Sequence, residues 1–285
     1  LKDLQPYFDT IRKKTGIELK MDYIGTLDGA EKLAQGATYD LAWFSHGKYL
    51  SMLPQTKGRI KAQEKIMLSP VVLGVKESKA REWGWVDNPS LKWSDIADKA
   101  GSGELRYAMT NPASSNSGFT SLLGVAAAFS SGKSVLTSDD VDKEQLTLFF
   151  TGQKLTSGSS GWLAEAYVRE QQKLDGLINY ESVLMSLNTS GQLQEKLHLI
   201  YPAEGIVTAD YPLMLLDGRK REAFSTLVEY LKSEEFQKLI MNKTSRRPVI
   251  PQVRPSAAFS SSMLVELPFP ADRKTVDNLI FSYLD

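Results

Sequence analysis

The stretch NPASSNSGFTSLLGVAAAF, residues Asn111–Phe129, decides the fold prediction because it joins a strand to a helix through a turn of small polar residues. The preceding residues RYAMT (Arg106–Thr110) are partly apolar and end at Asn-Pro, which predicts a strand. The Leu- and Ala-rich residues after Gly118 contain no proline and predict a buried helix. Such a turn leaves backbone N–H groups free at the positive end of the helix dipole, where an anion or a polar head group can bind.

A second turn of this kind, GSSGWLAEAYVREQQ, spans Gly158–Gln172. Two serine-rich helix starts in one chain point toward a ligand-binding protein, although neither identifies the ligand. Ser, Thr, Asn and Asp are also the ordinary N-cap residues, and most capped helices bind nothing. These turns alone therefore do not show solute binding, and the arrangement of strands and helices along the whole chain is needed as further evidence.

The composition excludes several classes of protein. The chain has 285 residues, 42% of them hydrophobic and 24% charged, which is normal for one large globular domain or two smaller ones. Lys plus Arg (34) equals Asp plus Glu (34), which argues against a nucleic-acid binder that depends on a broad basic surface. The absence of cysteine excludes disulfides, thiol catalysis and Cys-ligated metals. With only His46 and His198, a histidine-rich metal site has little to build on.

Two features bear on the location of the protein. No apolar run approaches the length that spans a membrane. The chain starts at Leu1, without a methionine and without a signal peptide, so we expect that Leu1 is not the native start and that a leader has been removed.

Strand and helix patterns alternate along the chain. Apolar spacing predicts helices at 1–15, 26–35, 93–99, 219–241 (broken near Ser233) and 272–284. Alternation or apolar runs predict strands at 17–24, 39–44, 66–75, 106–110, 176–180, 197–201 and 205–216, while 146–150 fits a strand or the end of a helix. This alternation predicts an α/β fold with mainly parallel sheets.

Two long apolar strands organise the predicted domains. SPVVLGV (Ser69–Val75) and GIVTADYPLMLL (Gly205–Leu216) each begin near a proline, and a long segment with its own strands and helices lies between them. If both strands cross between lobes, residues 1–72 plus 206–285 form lobe 1 and residues 73–205 form an inserted lobe 2. The two crossing strands then act as a hinge beside a ligand cleft.

This series of motifs resembles the type II periplasmic solute-binding proteins of bacterial ABC importers. The motifs are GTLDGAEKLA (Gly25–Ala34), YDLAWFSHG (Tyr39–Gly47), SPVVLGV (Ser69–Val75), NPASSNSGF (Asn111–Phe119), GLINYESVLMSLN (Gly176–Asn188) and HLIYPAEGIVTADYPLMLL (His198–Leu216). The resemblance covers most of the chain. It implies a two-lobed α/β fold that closes on a small polar or anionic solute, for ABC-type uptake or for sensing.

The nearest resemblance is to the branch that sometimes precedes a von Willebrand factor A domain, because LVELPFPADRKTVDNLIFSYLD (Leu264–Asp285) is similar to the junction in such proteins. The resemblance implies a monomer in the periplasm or outside the cell, anchored to a membrane if the absent leader carries an anchor. Its partners are a small-molecule solute and an ABC permease, with no nucleic acid, cofactor or metal. One departure is that the family usually opens with a strand, whereas this chain opens on a helix, so that strand precedes Leu1 or is absent.

The resemblance places the solute contacts in loops that follow strands and at helix starts. In the first lobe it implies Thr26, Asp28 and Ser45. In the second lobe it implies Ser114, Ser115, Asn116, Ser117, Gly118, Ser159, Ser160, Trp162, Tyr180, Glu181, Tyr201 and Glu204. The serines of the first turn are the strongest candidates, and Gly118 is expected to let the ligand approach the backbone.

The sequence leaves the ligand chemistry open. Hydroxyl and N–H groups favour an oxyanion, whereas the carboxylates of Asp28, Glu181 and Glu204 favour an amine-bearing ligand. We expect no enzyme, because the adjacent Ser45 and His46 of a turn rarely face each other and no G-x-S-x-G elbow is present. The remaining alternative is a ligand-degenerate interaction module of a larger cell-surface protein with a downstream von Willebrand factor A domain.

Overall fold

Helices and strands alternate through the residues that the computed structural model describes, which are 1–130, 137–261, 264–270 and 272–284. The α-helices are α1 (Phe8–Thr15), α2 (Thr26–Ala34), α3 (Lys48–Ser51), α4 (Glu77–Glu82), α5 (Trp93–Gly101), α6 (Asn116–Ala128), α7 (Lys143–Thr151), α8 (Ser160–Glu170), α9 (Glu181–Thr189), α10 (Arg221–Leu231), α11 (Glu234–Thr244) and α12 (Arg273–Leu284). The strands are β1 (Leu41–Trp43), β2 (Ala62–Lys65), β3 (Ser69–Lys76), β4 (Tyr107–Thr110), β5 (Gln153–Ser157), β6 (Gly176–Tyr180), β7 (Leu197–Ile200), β8 (Val207–Ala209) and β9 (Pro212–Leu215). Within the described residues no helix is both long enough and apolar enough to pass through a membrane.

The chain divides into two compact units. The first unit contains Leu1–Ser69 and Ala209–Ser261, and the second contains Pro70–Thr208 and Ser262–Asp285. The division into lobes at 1–72 plus 206–285 and 73–205 stays a prediction. That prediction assigns helix α12 to lobe 1. In the structure α12 packs against α6 of the second unit, and the Tyr283 ring lies 4.9 Å from the Phe150 ring.

The first unit is built on a three-stranded antiparallel sheet in the order β1-β9-β2. The central strand β9 pairs with β1 (Trp43↔Leu213) and with β2 (Lys65↔Pro212), so the end of β1, the end of β2 and the start of β9 share one edge. Pro212 has no N–H to donate to the ladder, and it is tolerated here because it is the first residue of its strand. Helix α10 packs on β9 and on α1, and its buried face includes Phe224 and Leu227.

The second unit is built on a mixed sheet in the order β5-β4-β6-β3-β7, with β8 paired to β3. Strands β5, β4 and β6 are parallel, whereas β3 runs antiparallel to both β6 and β7. Strand β3 reads SPVVLGVK and is buried along nearly its whole length, as a strand in the middle of a covered sheet must be. The order and directions place the carboxyl ends of β4, β5, β6 and β7 at one edge of the sheet.

Most predicted elements are present, three expectations need correction, and one open alternative is decided. Residues 17–24 form no strand: their side chains alternate in burial, but 18–24 make no backbone hydrogen bond among the described residues. Residues 146–150, for which the sequence leaves a strand or the end of a helix open, belong to helix α7. The predicted strand 205–216 is two short strands, β8 and β9, interrupted at Asp210 and Tyr211. The sheets are not mainly parallel, because the sheet of the first unit is antiparallel and β3 of the second runs against its neighbours.

We predict that Gly176→Ala destabilises the protein by about 2 kcal/mol through overpacking. A Cβ at Gly176 would stand 2.2 Å from the Gly74 carbonyl oxygen of the neighbouring strand, so β6 and β3 would have to separate. Urea denaturation measures the loss. The matched control is Gly218→Ala, where a Cβ meets nothing within 4 Å. Equal stability of the two variants would contradict the tight β3–β6 approach.

Candidate functional site

The carboxyl edge of the second unit's sheet brings together the starts of three helices. Helix α6 follows β4 by a short turn, α8 follows β5, and α9 begins directly after β6. The edge residues of these strands are Thr110, Ser157 and Tyr180, and β7 adds Ile200 at the same edge. In open α/β sheets ligands bind outside the carboxyl ends of the strands, where helix N-termini point their N–H groups.

The start of α6 carries buried N–H groups that have no acceptor in the part of the chain that the structure describes. Ser115 is the N-cap residue, but its side chain makes no capping hydrogen bond. Asn116, Ser117 and Gly118 are buried, and among the described residues none of their backbone N–H groups donates a hydrogen bond. Buried backbone N–H groups are nearly always paired, so these three N–H groups are available to an acceptor from outside the described residues.

Three hydroxyl groups form a chain beside that turn. The Thr110 and Ser117 hydroxyl oxygens are 2.8 Å apart, and the Ser117 and Ser160 hydroxyl oxygens are also 2.8 Å apart. The Asn179 side-chain amide donates to the Ser160 carbonyl at 2.9 Å and thereby holds the start of α8 against β6. The structure therefore brings together Ser117 of the first serine-rich turn and Ser160 of the second.

Gly118 is explained by packing of the helix on its strand. A Cβ at this position would lie 2.2 Å from the Thr110 carbonyl oxygen, so only glycine lets α6 start this close to β4. The observed close contact of Gly118 is with Thr110, and the approach of a ligand to its backbone stays a prediction. The close approach also explains why Ser117 is fully buried.

Tyr180 ends β6, Glu181 follows it directly, and Tyr201 follows β7, so all three lie at the same edge of the sheet, where β3 separates β6 from β7. The Asn116 side-chain amide donates to the Tyr180 hydroxyl at 2.9 Å, which links the α6 turn to β6. Glu181 is completely buried at the start of α9, and its Oε2 accepts a hydrogen bond from the Tyr201 hydroxyl. The edge therefore combines neutral donors with one buried carboxyl group.

The other candidates of the second unit have local roles. The Ser159 hydroxyl caps α8 by accepting from the Trp162 N–H at 3.3 Å, and the Trp162 side chain is 63% exposed. Ser114 lies in the turn, where its N–H donates to the Asn111 carbonyl at 3.2 Å. Both oxygens of Glu204 accept from the Trp93 N–H, at 3.1 and 3.0 Å, so Glu204 caps helix α5.

The candidates of the first unit lie on two of its elements. Thr26 is buried as the first residue of α2, and Asp28 is exposed in the same helical turn. Ser45 follows β1, and its carbonyl accepts from the Tyr211 N–H at 3.0 Å. The next residue, His46, is 8% exposed, and its Nδ1 accepts from the Lys48 N–H at 3.3 Å. The described residues contain no group of three or more His, Cys, Asp or Glu side chains that could hold a metal ion.

Comparisons with known proteins agree with this architecture. A family model described as bacterial extracellular solute-binding protein matches residues 2–243. The periplasmic binding protein AfuA from Actinobacillus pleuropneumoniae, with exogenous fructose-6-phosphate bound, superposes with a TM-score of 0.69 at 14% identity, covering 99% of this chain and 94% of that one. A periplasmic thiamin binding protein gives 0.72 at 12% identity, with 99% and 90% coverage.

A third similar structure is the sulfate-binding protein SubI from Mycobacterium tuberculosis H37Rv, with a TM-score of 0.66, 20% identity and coverage of 97% and 93%. No curated protein sequence matches the chain. The three structures show that this chain has the periplasmic-binding-protein fold that the sequence resemblance implies.

We predict that His46 makes the protein less stable in mild acid. Burial lowers the pKa of His46, partly offset by the charge of Asp210. The unfolded chain then binds more protons than the folded one, so stability decreases as the pH falls through the unfolded value of about 6.5. His46→Gln should flatten the urea-denaturation profile between pH 7 and pH 5. If His46→Gln keeps the pH dependence of the wild type, His46 is not its source. His198 would then be the remaining histidine, and burial lowers its pKa too.

Proposed function

This chain belongs to the family of bacterial extracellular solute-binding proteins, and we propose that its solute presents an oxyanion to the start of α6. The single observation that carries the proposal is the set of buried backbone N–H groups of Asn116, Ser117 and Gly118, which have no acceptor among the described residues. An oxyanion supplies several acceptor oxygens and interacts favourably with the helix dipole.

The neighbouring side chains support an oxyanion because they are neutral donors. The hydroxyl chain of Thr110, Ser117 and Ser160 can rotate its hydrogens toward an incoming acceptor, since a hydroxyl both donates and accepts. Neutral donors on backbone and side chains can hold an anion without a full counter-charge. The Asn116 side chain, held by the Tyr180 hydroxyl, closes one side of the turn.

The ligands named for two similar proteins belong to the same chemical class. Fructose-6-phosphate is bound in the AfuA structure, and SubI is named as a sulfate-binding protein. The third similar protein is named as a thiamin binding protein, and thiamin is an amine-bearing ligand and not an oxyanion. In this chain the N–H groups at the start of α6, which have no acceptor among the described residues, favour an oxyanion. The buried Glu181 carboxyl group favours an amine-bearing ligand.

The family places this protein in the periplasm or outside the cell, and its members bind small solutes. We propose in addition that the chain works as a monomer without catalytic activity and delivers its solute to an ABC permease. The expected contacts from Thr26, Asp28 and Ser45, and the closing of two lobes on the solute, stay predictions.

Thermal unfolding against a panel of solutes tests the ligand class. The panel contains sulfate, phosphate, a sugar phosphate, thiamin, amino acids, polyamines and neutral sugars. A ligand at 100 times its dissociation constant stabilises the folded state by about 2.7 kcal/mol, which raises the midpoint by several degrees in a chain of this size. We expect the shift with an oxyanion. A shift with polyamines or thiamin alone would contradict the oxyanion proposal.

We predict that Ser117→Ala and Ser160→Ala each weaken binding of that oxyanion by roughly tenfold, because each removes one hydroxyl donor. Alanine is the right test because Ser117 is fully buried and a larger side chain there would overpack the turn. Calorimetric titration gives the dissociation constants, and circular dichroism confirms folding. The control is Ser102→Ala, whose hydroxyl bonds Lys99 and Glu104 on the exposed end of α5. Unchanged affinity in both site variants would remove the hydroxyl chain from the solute site.

A further inference from the structure

Strand β6 carries one amide side chain in its buried interior. The strand reads GLINY (Gly176–Tyr180) and is buried along its whole length, so Asn179 places an amide directly after the apolar side chains of Leu177 and Ile178. Asn179 is completely buried. A buried amide costs free energy unless its polar atoms are hydrogen-bonded, so the partners of Asn179 determine what the residue contributes at this position.

Both ends of the Asn179 amide have partners. Its Nδ2 donates to the Ser160 carbonyl at 2.9 Å, and its Oδ1 accepts from the Tyr180 N–H at 2.8 Å. A carbonyl can only accept and a backbone N–H can only donate, so this pair of contacts needs a side chain that does both. An asparagine amide meets that requirement, whereas an aspartate of the same shape keeps the acceptor and loses the donor.

The two partners of Asn179 lead to two sides of the turn before α6. Ser160 begins α8, and its hydroxyl oxygen lies 2.8 Å from that of Ser117. Tyr180 ends β6, and its hydroxyl accepts from the Asn116 side-chain amide at 2.9 Å. Because Asn116 and Ser117 are consecutive residues, these contacts close a ring. The ring joins α6, α8 and β6 at one edge of the sheet and lies entirely within the second unit.

We propose that Asn179 is a positioning residue of the oxyanion site: it fixes the start of α8 against β6, so that the Ser160 hydroxyl stays beside Ser117. This role rests on the proposed function, in which the start of α6 binds the oxyanion. Asn179 acts through Ser160 and is not itself a solute contact. The hydroxyl chain is thereby ordered before the solute arrives, which lowers the ordering cost of binding.

A second asparagine makes the same pair of contacts away from the site. The Asn188 side-chain amide of α9 donates to the Leu197 carbonyl at 2.8 Å, and its Oδ1 accepts from the Leu197 N–H at 2.8 Å. Leu197 begins β7, and β6 and β7 both run antiparallel to β3, so this contact lies at the edge of the sheet opposite the start of α8. Asn188 therefore provides a matched control, an amide that ties a helix to a strand outside the ring of contacts.

Amide hydrogen exchange tests the positioning of α8 without any solute. The Trp162 N–H donates to the Ser159 hydroxyl at 3.3 Å and the Leu163 N–H to the Ser159 carbonyl at 2.9 Å, so both amides report on the start of α8. In Asn179→Ala the first carbonyl of α8 loses its donor, and we expect these two amides to exchange about tenfold faster. Asn188→Ala should leave their exchange unchanged. Wild-type exchange in Asn179→Ala, or equal acceleration in both variants, would overturn the positioning role.

Asn179→Asp separates the two contacts and keeps the test decisive if Asn179→Ala does not fold. Aspartate retains an acceptor for the Tyr180 N–H, but its carboxylate cannot donate to the Ser160 carbonyl. We expect the Trp162 and Leu163 amides to exchange faster in this variant while the Tyr180 amide stays protected. Wild-type exchange at Trp162 and Leu163 would show that the donor to Ser160 does not fix α8, and the positioning role would be overturned.

Calorimetric titration with sulfate, phosphate and fructose-6-phosphate tests the effect on binding. If one of these anions binds the wild type, Asn179→Ala should weaken it about tenfold, and Asn188→Ala should leave it unchanged. Asn179→Asp does not enter this comparison, because its added negative charge would repel an anion wherever α8 lies.

The titration distinguishes failure of the positioning role from failure of the proposed function. Wild-type affinity in Asn179→Ala, or an equal loss in Asn188→Ala, would overturn the positioning role and leave the oxyanion function standing. Wild-type protein that binds none of the three anions would contradict the oxyanion function. The link between Asn179 and solute binding would then fall with it, whatever the exchange data show.

Discussion

The close approach of α6 to β4 is the constraint on which the second unit's site depends. With no side chain at Gly118, the helix starts against the Thr110 carbonyl, and this buries Asn116 and Ser117 in the turn. The same approach buries the first N–H groups of the helix, and no acceptor for them is found in the described part of the chain. Removing donors from water costs free energy unless an acceptor is supplied, and a bound oxyanion supplies it. The packing of α6 on β4 and the availability of these N–H groups are therefore two consequences of one contact.

Much of this arrangement can be predicted from the sequence, because local patterns specify it. The strand–turn–helix sequence around Ser115 and the second serine-rich turn at Ser159 predict both helix starts. The alternation of elements predicts the α/β fold, and the motif series predicts the family. The two turns meet, with Ser117 bonded to Ser160, because β4 and β5 are parallel neighbours, and the sequence patterns predict no strand at the position of β5.

The failures come from interactions distant in sequence. Residues 17–24 alternate as a strand does, but a strand needs a neighbouring strand, and no local pattern reports whether one is available. The Glu204 carboxylate caps α5, more than a hundred residues earlier in the chain, and no local pattern around Glu204 predicts that contact. Asn179 lies in a strand that is otherwise predicted from its apolar residues, and it meets the Ser160 carbonyl because α8 packs against β6. Only the fold reveals that this amide holds the start of α8.

The central claim is that the first N–H groups of α6 bind an oxyanion, and amide NMR measures those groups directly. Sulfate, phosphate and a sugar phosphate would be titrated into ¹⁵N-labelled protein while the amide resonances of Asn116, Ser117 and Gly118 are followed. We expect one of these anions to shift all three resonances in a saturable way, in the downfield direction typical of new hydrogen bonds. Saturable binding that leaves the three resonances in place and moves amides elsewhere would contradict it.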